Sequence, residues 1–440
     1  MNLNTKPNIV VIYCDDLGYG DLSCYGSQAI HTPNLDRLAN QGVRFTNWYS
    51  NSPVCSPSRA SLLTGLYPAR AGVEEILGGK RGTVGLPRNR TTLAARLKKL
   101  GYQTGLFGKW HLGVTEENGP NRHGFDEFFG FLAGCVDYYS HIFYWGQAGG
   151  VNPVHDLWHN KAEVWQNGRY MTELITERAV DFIHGHTDDP FFLYVPYNAP
   201  HYPMHAPQKY LDRFPDLPKE QRIMAAMISA MDDGVGCITK ALDEIGKLED
   251  TIVFFSSDNG PSTESRNFLD GTEDLYYGGS AGIFRGHKGS LFDGGIREPA
   301  ILSYPRAVPG GQVCDQVGMM MDVVPTILEL IGAAVPESPE LDGVSLATMV
   351  QNQGESPHQD LYWAYSGQLA MRRGDWKLVL NGKLDFSRAE VDDVHLSNLL
   401  VDPGERNNLA AEQPDLVAEL TQAVQNWYTA CSGEPARCEK

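Results

Sequence analysis

The sequence predicts an α/β protein with a mostly parallel sheet between layers of helices, followed by a small antiparallel α+β subdomain. Two observations carry this prediction. Up to about residue 350, short apolar and β-branched runs alternate with helical stretches, which is typical of a parallel sheet covered on both faces. Beyond that point, strand-like runs follow one another at hairpin spacing, which favours an antiparallel sheet. We therefore predict a larger domain over residues 1–352 and a smaller one over residues 353–440.

The predicted strands of the larger domain are apolar runs that end in polar residues, as buried parallel strands do. They span residues 8–14, 103–107, 191–196 and 251–257. Helices are predicted over residues 32–42, 91–101, 171–184 and 221–248. In the smaller domain we predict strands over residues 361–365, 369–372 and 376–380 and a helix over residues 413–428. Cys431 and Cys438 follow that helix, and they either pair with each other or stay reduced.

Composition and charge describe an ordinary globular protein and argue against a nucleic-acid partner. The chain has 440 residues, of which 42% are apolar, and a formal charge of −18. Nucleic-acid binding requires clustered Lys and Arg, which such a charge disfavours. No apolar run reaches the roughly 18 residues needed to cross a bilayer. The N-terminus carries no secretory signal, so the protein is either cytoplasmic or, as we expect, periplasmic or secreted with its signal peptide absent from this sequence.

Charged and metal-binding side chains follow each of the four predicted strands of the larger domain. Asp15-Asp16 comes after the first strand, and Gly108-Lys109-Trp110-His111 after the second. Asn198-Ala199-Pro200-His201 follows the third strand, and Asp258-Asn259-Gly260 follows the fourth. In open parallel sheets the ligand crevice lies at the carboxyl ends of the strands. These four segments are therefore expected to meet at one edge of the sheet and to form a functional site there.

Four of these residues offer only hard oxygen ligands, which suit Ca²⁺ or Mg²⁺ better than zinc. They are Asp15, Asp16, Asp258 and Asn259. Paired aspartates after a strand also cap helices, so Asp15-Asp16 alone does not distinguish a metal site from a cap. The second pair at the end of another strand favours the metal site.

Residues 55–65, with the sequence Cys-Ser-Pro-Ser-Arg-Ala-Ser-Leu-Leu-Thr-Gly, predict a helix that begins at Cys55. A helix N-terminus carries partial positive charge and unpaired N–H groups, which favour an anion beside it. Arg59 lies one turn further along the helix and can reach the same anion. From these residues alone, Cys55 is either a nucleophilic thiolate or a buried structural cysteine.

The same segment resembles the signature of the type I sulfatases, Cys-x-Pro-x-Arg followed by Ala-Ser-Leu-Leu-Thr-Gly. In that family a formylglycine-generating enzyme oxidises the cysteine to Cα-formylglycine. The resemblance covers nearly the whole chain through further motifs. These are Asp15–Leu22, Thr32–Asp36, Gly108–Gly113, Asp258–Gly260, Gly286–Gly289 and Asp402–Glu405. It implies an alkaline phosphatase-like fold and hydrolysis of sulfate monoesters, with a sulfated carbohydrate as the expected substrate.

The resemblance also implies a role for each matching residue. The expected Ca²⁺ ligands are an oxygen of the formylglycine made from Cys55, together with Asp15, Asp16, Asp258 and Asn259. Arg59 and Lys109 are expected to orient the hydrated aldehyde that attacks sulfur, and His111 to assist its second hydroxyl. His201 and Lys288 are expected to hold the sulfate and serve the leaving-group oxygen, with His201 as the general acid.

Two segments bear on substrate specificity. Phe292-Asp293-Gly294-Gly295 departs from the family pattern, in which Trp or Tyr followed by Glu is more common, and its position just past Lys288 predicts a changed pocket wall. An aromatic-rich stretch after the Gly108–Gly113 motif is either a packed hydrophobic loop or a surface on which a sugar stacks. Its sugar-compatible residues are Asp137, Tyr138, Tyr139, His141 and Trp145.

Two other functions fit the same residues. A phosphatase or phosphonate monoester hydrolase of the same superfamily would use the same aldehyde on a phosphorus ester. A binding protein for sulfated glycans would hold its ligand intact and keep Cys55 unmodified. A two-zinc alkaline phosphatase is disfavoured, because Asn259 stands where a second metal would want more His or Asp.

Overall fold

The computed structural model describes residues 6–144, 153–264, 278–352, 354–386 and 391–433. Within these residues, ten strands form one large sheet flanked by helices, and four further strands form a second sheet. The predicted α/β class with a small antiparallel sheet near the C-terminus is therefore confirmed. Trp145 and Cys438 lie outside the described residues, so the sugar contact of Trp145 and the pairing of Cys431 with Cys438 stay predictions.

The strands, numbered in chain order, are β1 Asn8–Asp15, β2 Val43–Tyr49, β3 Gln103–Lys109, β4 Glu127–Phe131, β5 Ile142–Phe143, β6 Val154–His155, β7 Trp158–His159, β8 Ala162–Glu163, β9 Phe191–Pro200, β10 Thr251–Ser257, β11 Ala300–Ser303, β12 Gln312–Met319, β13 Asp360–Tyr365, β14 Gln368–Arg373, β15 Trp376–Lys383 and β16 Val391–Asn398. The helices are α1 Pro33–Asn40, α2 Cys55–Thr64, α3 Pro68–Ala71, α4 Leu93–Lys99, α5 Met171–Gly185, α6 Gln208–Leu211, α7 Lys219–Glu244, α8 Asp293–Ile296, α9 Val323–Leu330, α10 Ala347–Asn352 and α11 Pro414–Ser432. None of the described helices combines the length and the apolar character needed to cross a membrane.

The large sheet has the strand order β12-β2-β11-β10-β1-β9-β3-β4-β7-β8. The four predicted strands are β1, β3, β9 and β10, and they pair side by side in parallel. β4 extends this parallel block beyond β3, whereas β11 and β7 run antiparallel to their neighbours. The carboxyl ends of β10, β1, β9 and β3 therefore lie next to one another, and the segments that follow these strands meet at one edge.

β1 shows why this sheet is covered on both faces. Val10 and Ile12 pack into a core with side chains of α5 and α7, whereas Ile9 and Val11 pack with side chains of α2, α4 and α9. Successive side chains of a strand point to opposite faces, so an uninterrupted apolar run needs a core on each side. The helices that supply the second core include α2, which begins at Cys55.

The second sheet consists of β13, β14, β15 and β16, paired antiparallel in sequence order, with α11 packed against it through Leu420 and Val424. Three of these strands and the helix were predicted. β16 was not, because its sequence Val-Asp-Asp-Val-His-Leu-Ser-Asn is too polar for the pattern of a buried strand. The division between residues 352 and 353 falls between α10 and β13 and stays a prediction.

A buried ion cluster joins the second sheet to the large domain. Lys377 Nζ, on β15, lies 2.6 Å from Asp293 Oδ1 and 3.1 Å from Glu405 Oε1. Asp293 Oδ2 also accepts hydrogen bonds from Arg297 at 3.1 Å and from the hydroxyl of Tyr49 at 3.0 Å. The side chains of Lys377, Asp293 and Glu405 are 0% exposed. Removing one partner of such a buried pair leaves an uncompensated charge, which costs about 3–5 kcal/mol.

This cluster accounts for two motifs found in the sequence. Asp293 lies in the segment that departs from the family pattern, and its carboxylate faces Lys377. Asp293 thus takes part in the contact between the two sheets, and a changed pocket wall at this segment stays a prediction. Glu405 ends the Asp402–Glu405 motif and accepts the backbone N–H of Asp293 at 2.6 Å, so that motif serves the same contact.

Candidate active site

The structure brings all of the predicted catalytic and metal-binding residues together at the carboxyl edge of the parallel strands. Asp15 ends β1 and Asp16 follows it, Lys109 ends β3 and His111 follows it, and His201 follows β9. The remaining members are Asp258 and Asn259 after β10, Cys55 and Arg59 on α2, and Lys288 on the segment before α8. Their roles in the reaction stay predictions, but the geometry that those roles require is present.

Cys55 is the first residue of α2 and is 2% exposed. The preceding residue, Val54, offers no side-chain hydrogen bond to the first turn, so the backbone N–H groups there are available to an anion. Cys55 Sγ lies 3.6 Å from Asp15 Oδ1. Burial raises the pKa of the Cys55 thiol well above its ordinary value, although Lys109 and Lys288 oppose the rise. An unmodified Cys55 is therefore a neutral thiol at pH 7.

Three carboxylates and three cations form ion pairs around Cys55. The pairs are Arg59 with Asp258 at 2.6 Å, Lys109 with Asp15 at 2.7 Å and Lys288 with Asp16 at 2.9 Å. Every one of these side chains is at most 3% exposed. The positive and negative charges of the six groups cancel, so the side chains alone give the site no surplus positive charge for an anionic substrate.

Burial and neighbouring charges act in opposite directions on the aspartates. Burial alone would raise the pKa of Asp16, but Lys288 and His201 outweigh it and lower the pKa to about 2. Burial raises the pKa of Asp258 to about 6, because the nearby Arg59 offsets only part of the desolvation. Both carboxyls are still mostly ionised at pH 7, which is the state that binds a metal ion.

A group of potential metal ligands surrounds Asp16. The ligand atoms that lie within 4.8 Å of one another belong to Asp15, Asp16, Cys55 and His201. Asp258 Oδ1 accepts the N–H of Asp16 at 3.1 Å, and Asn259 Nδ2 donates to Asp16 Oδ1 at 2.7 Å. The other amide atom, Asn259 Oδ1, is buried and accepts no hydrogen bond from the part of the chain that the structure describes. A buried acceptor without a partner is costly, so this oxygen fits a cation.

His201 belongs to this group although the sequence predicted only a catalytic role for it. Its Nε2 lies 3.5 Å from Asp16 Oδ2, and its Nδ1 lies 2.6 Å from the carbonyl oxygen of Tyr202. A carbonyl oxygen only accepts, so Nδ1 carries the hydrogen. Burial lowers the pKa of His201 to about 4, so the ring is neutral at pH 7 and Nε2 then carries no proton.

His111 follows β3 in the left-handed region of backbone conformation, with a φ of 53° that only a few per cent of non-glycine residues adopt. Its Nε2 lies 2.9 Å from the carbonyl oxygen of Leu77, so Nε2 carries the hydrogen and Nδ1 is the acceptor. Burial, and then Lys109, lower the pKa of His111 well below its ordinary value. Gly134 lies against the ring, where a Cβ would come within 2.8 Å of it. The site thus holds a neutral imidazole with one basic nitrogen.

In the predicted sugar-binding loop, Tyr138 contacts the turn that carries His201. Tyr138 and His141 are 0% exposed. The Tyr138 hydroxyl lies 2.8 Å from the carbonyl oxygens of both Asn198 and His201, and a ring nitrogen of His141 lies 3.1 Å from the carbonyl oxygen of Arg169. Tyr138 and His141 are thus buried and hydrogen-bonded to backbone carbonyls, and their contact with a sugar stays a prediction.

The other described members of that loop differ in exposure. Asp137 is 7% exposed, and its Oδ1 accepts the N–H groups of Tyr139 and Ser140, which fixes the turn. Tyr139 is half-buried and tilts against Tyr170 at a ring distance of 5.4 Å. Tyr139 is thus the described residue of this loop that keeps a surface for a ligand.

Two residues that adjoin the site were missed by the sequence analysis. Glu264 Oε2 lies 3.2 Å from Lys288 Nζ, so Lys288 is shared between Asp16 and Glu264. Leu77 contributes only its backbone, to His111 and to the hydroxyl of Ser56. No local motif marks either position, because each acts through a contact between segments distant in sequence.

Comparison with known proteins supports a single family. The chain matches the Sulfatase family over residues 7–333 and the family described as N-sulphoglucosamine sulphohydrolase, C-terminal, over residues 279–429. It is 34% identical to arylsulfatase A of Homo sapiens, over 95% of this chain and 86% of that protein. It is 33% identical to N-acetylgalactosamine-6-sulfatase of Homo sapiens, over 96% of this chain and 86% of that protein.

Solved structures agree with this assignment. The structure superposes on the crystal structure of Ps i-CgsB with a TM-score of 0.84 and 32% sequence identity. The match covers 96% of this chain and 93% of that chain. The same protein has also been solved in complex with k-i-k-neocarrahexaose. The family signature around Cys55, the α/β fold and the relatives all indicate the same family. The chain belongs to the sulfatase family and is an enzyme that hydrolyses sulfate esters.

Proposed function

We propose that this sulfatase releases sulfate from a carbohydrate, with a formylglycine made from Cys55 and one Ca²⁺ ion. The observation that carries the proposal is the position of Cys55, at the uncapped N-terminus of a buried helix and beside Arg59, Lys109 and Lys288. Such a position favours a bound anion over a solvent-exposed thiol. Two measurements test the proposal: the mass of the peptide that contains Cys55 and the release of inorganic sulfate.

An unmodified thiol at position 55 fits the reaction poorly. Its pKa is raised by burial, whereas a nucleophilic cysteine requires a lowered pKa. A hydrated formylglycine would supply a hydroxyl nucleophile and, because it has two hydroxyls, a way to release sulfate without attack of water on sulfur. Maturation would require a formylglycine-generating enzyme as a partner of the newly made chain.

The site also fits a divalent cation. Asp15, Asp16, Asp258 and Asn259 would hold it, and Asn259 Oδ1 is a buried oxygen that has no other partner. The ion pairs of the site leave no surplus charge, so a divalent cation would give the site the positive charge that a sulfate monoester needs. Ca²⁺ is the ion we propose, because oxygen ligands dominate this set.

The cations and the neutral imidazole of the chain itself then serve the reacting groups. Arg59, Lys109 and Lys288 line the anion position with fixed donors, so charge that develops on sulfate oxygens is stabilised without reorganisation. His111 Nδ1 is an acceptor in a ring held by the carbonyl of Leu77, and we propose that it takes a proton from a hydroxyl at position 55.

The leaving-group oxygen needs a proton donor, and the geometry favours Lys288 over the predicted His201. The Tyr202 carbonyl holds the hydrogen of His201 on Nδ1, and burial lowers the pKa of His201 to about 4. Asp16, in contrast, raises the pKa of Lys288 well above its ordinary value although burial opposes the rise, so its ammonium is charged. We therefore assign the leaving-group contact to Lys288 and the sulfate contact to His201.

The proposal of a carbohydrate substrate rests on the relatives. One of them is named N-acetylgalactosamine-6-sulfatase, and Ps i-CgsB was solved with an oligosaccharide. Residues that contact only the sulfate cannot distinguish one sulfated alcohol from another, so the sugar must be recognised by loops around the edge of the sheet. A periplasmic or secreted location stays an expectation.

The first prediction concerns the modification of Cys55. Mass spectrometry of the peptide that contains Cys55 should give the mass of the aldehyde in active protein and that of the thiol in protein made without a formylglycine-generating enzyme. Cys55→Ala should abolish release of sulfate, because no other group at this position provides two hydroxyls. Cys237→Ala, at an exposed cysteine of α7, is the control and should keep full activity. Substantial turnover by the Cys55→Ala variant would refute the mechanism.

The second prediction concerns the metal. Elemental analysis should find one Ca²⁺ per chain, and added Ca²⁺ at 100 times its Kd should stabilise the fold by about 2.7 kcal/mol. Asp15→Asn removes a charged ligand but keeps the shape of the side chain, so both the bound Ca²⁺ and the thermal shift should decrease. Asp243→Asn, at an exposed position of α7, should behave as the parent protein. Stoichiometric zinc, with activity that depends on it, would contradict the assignment, since His201 lies close enough to bind zinc.

The third prediction concerns His201. If His201 contacts the sulfate, His201→Ala should lower kcat/KM by similar factors for 4-nitrophenyl sulfate and for a sulfated sugar with a poor leaving group. A selective loss of about 10²–10⁴-fold on the sugar would instead identify His201 as the general acid. His184→Ala, at an exposed position of α5, is the matched control and should change neither rate.

A further inference from the structure

An exposed tryptophan that follows β8 presents a flat aromatic surface. Trp165 is 62% exposed, and its indole stacks on the imidazole of His155 with ring centroids 3.7 Å apart and planes 9° from parallel. His155 is 8% exposed, and its Nδ1 lies 3.0 Å from Glu163 Oε1. One face of the indole is therefore covered by a ring that is itself held in place, whereas exposure of this size leaves the other face to solvent.

Polar groups lie at the edge of this surface. Arg81 Nη2 is 3.9 Å from the same Glu163 Oε1 that contacts His155. The side chain of Arg81 is 63% exposed and that of Glu163 is 31% exposed. The surface thus combines an open aromatic face with hydrogen-bond donors and acceptors at its rim. An apolar face bordered by a few polar groups is the chemistry that recognises a sugar ring, whose C–H groups stack and whose hydroxyls hydrogen-bond.

A chain of contacts connects this surface to the catalytic residues. The backbone N–H of Leu77 donates to Ser56 Oγ at 3.1 Å, and its carbonyl oxygen lies 2.9 Å from His111 Nε2. Arg81 follows Leu77 by four residues, which span at most about 14 Å even when fully extended. The surface formed by Trp165, His155, Glu163 and Arg81 is therefore linked through residues 77–81 to the backbone that contacts His111 and Ser56.

The segment that contains Leu77 and Arg81 also packs against β5. Gly79 lies against Phe143, where a Cβ would come within 2.4 Å of the ring. Phe143 and Ile142 form β5, which pairs with Val154 and His155 of β6. His155 is therefore paired with β5, which packs on Gly79, two residues beyond Leu77.

We propose that the open face of Trp165 binds a sugar ring of the substrate other than the ring that carries the scissile sulfate. This inference rests on the proposed function, and it narrows the substrate class to sulfated oligosaccharides or polysaccharides. Arg81 and Glu163 would hydrogen-bond to the hydroxyl or sulfate groups of the stacked ring. Contacts this far from the reacting sulfur are the same in the ground state and the transition state, so they affect KM more than kcat.

The test measures kcat and KM of the mature enzyme on chondroitin sulfate and carrageenan oligosaccharides of increasing length and on 4-nitrophenyl sulfate. We take the oligosaccharide that the parent enzyme hydrolyses with the highest kcat/KM and divide the KM for this sugar by the KM for 4-nitrophenyl sulfate. Trp165→Ala should raise this ratio about tenfold, as expected from the loss of one stacking aromatic ring. The kcat of Trp165→Ala on the oligosaccharide should stay within about twofold of the parent value, because the lost contact stabilises the ground state and the transition state equally. Trp165→Phe should restore part of the affinity, since a smaller aromatic face remains.

Leu400→Ala is the matched control, because Leu400 is an apolar side chain with 73% exposure in the smaller domain. It should change neither KM. An unchanged KM ratio in Trp165→Ala would overturn the inference, as would a parent enzyme that hydrolyses 4-nitrophenyl sulfate but shows no preference for longer sugars. In both cases the sulfatase function itself would stand.

A direct binding measurement separates this inference from the catalytic proposal. Titration calorimetry of the same oligosaccharides with Cys55→Ala and with the Cys55→Ala/Trp165→Ala double variant requires no turnover. Weaker binding by the double variant supports the sugar site even if the parent protein releases no sulfate, which would refute the proposed function alone. Equal binding by the two variants overturns the inference. A parent dimer that Trp165→Ala converts to monomer, seen by sedimentation, would also overturn it and identify the surface as an interface between two copies of the chain.

Discussion

Three buried ion pairs at the carboxyl edge of the large sheet are the interaction on which the rest of this structure depends. Charges buried in a protein interior are tolerated only when they are paired, and here Arg59, Lys109 and Lys288 pair with three aspartates from two neighbouring strands. The strands of the sheet set the spacing of these carboxylates, and α2 supplies Arg59 together with Cys55. The charges of these three pairs balance, so the proposed divalent cation and an anionic substrate would fit the site together.

The remainder of the fold holds this arrangement in place from three directions. The Tyr138 hydroxyl contacts backbone carbonyls on both sides of the turn that carries His201, so the loop after β4 acts as a support. The backbone of Leu77 fixes both the first turn of α2 and the ring of His111. The ion cluster around Lys377 anchors the second sheet next to the segment that carries Lys288. These contacts join segments far apart in sequence, so rigidity at the site is a property of the whole chain.

The sequence predicted the parallel core and the membership of the site because both depend on local patterns. Apolar runs that end in Asp or His mark strand ends, and parallel topology brings such ends together. Contacts across the fold were not predictable in the same way. The burial of Tyr138 and His141, the pairing of Asp293 with Lys377 and the contact of Glu264 with Lys288 each depend on which distant segment lies opposite. Tyr138 and Tyr139 are neighbours of the same residue type, and only the structure shows that the first is buried and the second is partly exposed.

The central claim is that this charge arrangement serves a sulfate ester and not a phosphorus ester. The most direct measurement is the ratio of kcat/KM for 4-nitrophenyl sulfate to that for 4-nitrophenyl phosphate, with the same mature enzyme and the same leaving group. A sulfate monoester carries one negative charge fewer than a phosphate dianion. Because the charges of the three ion pairs cancel, the proposed divalent cation would supply the positive charge that attracts it. The account predicts a ratio well above one, with both activities lost in Cys55→Ala. A ratio below one, with the same dependence on Cys55, would contradict it and identify a phosphorus-ester hydrolase.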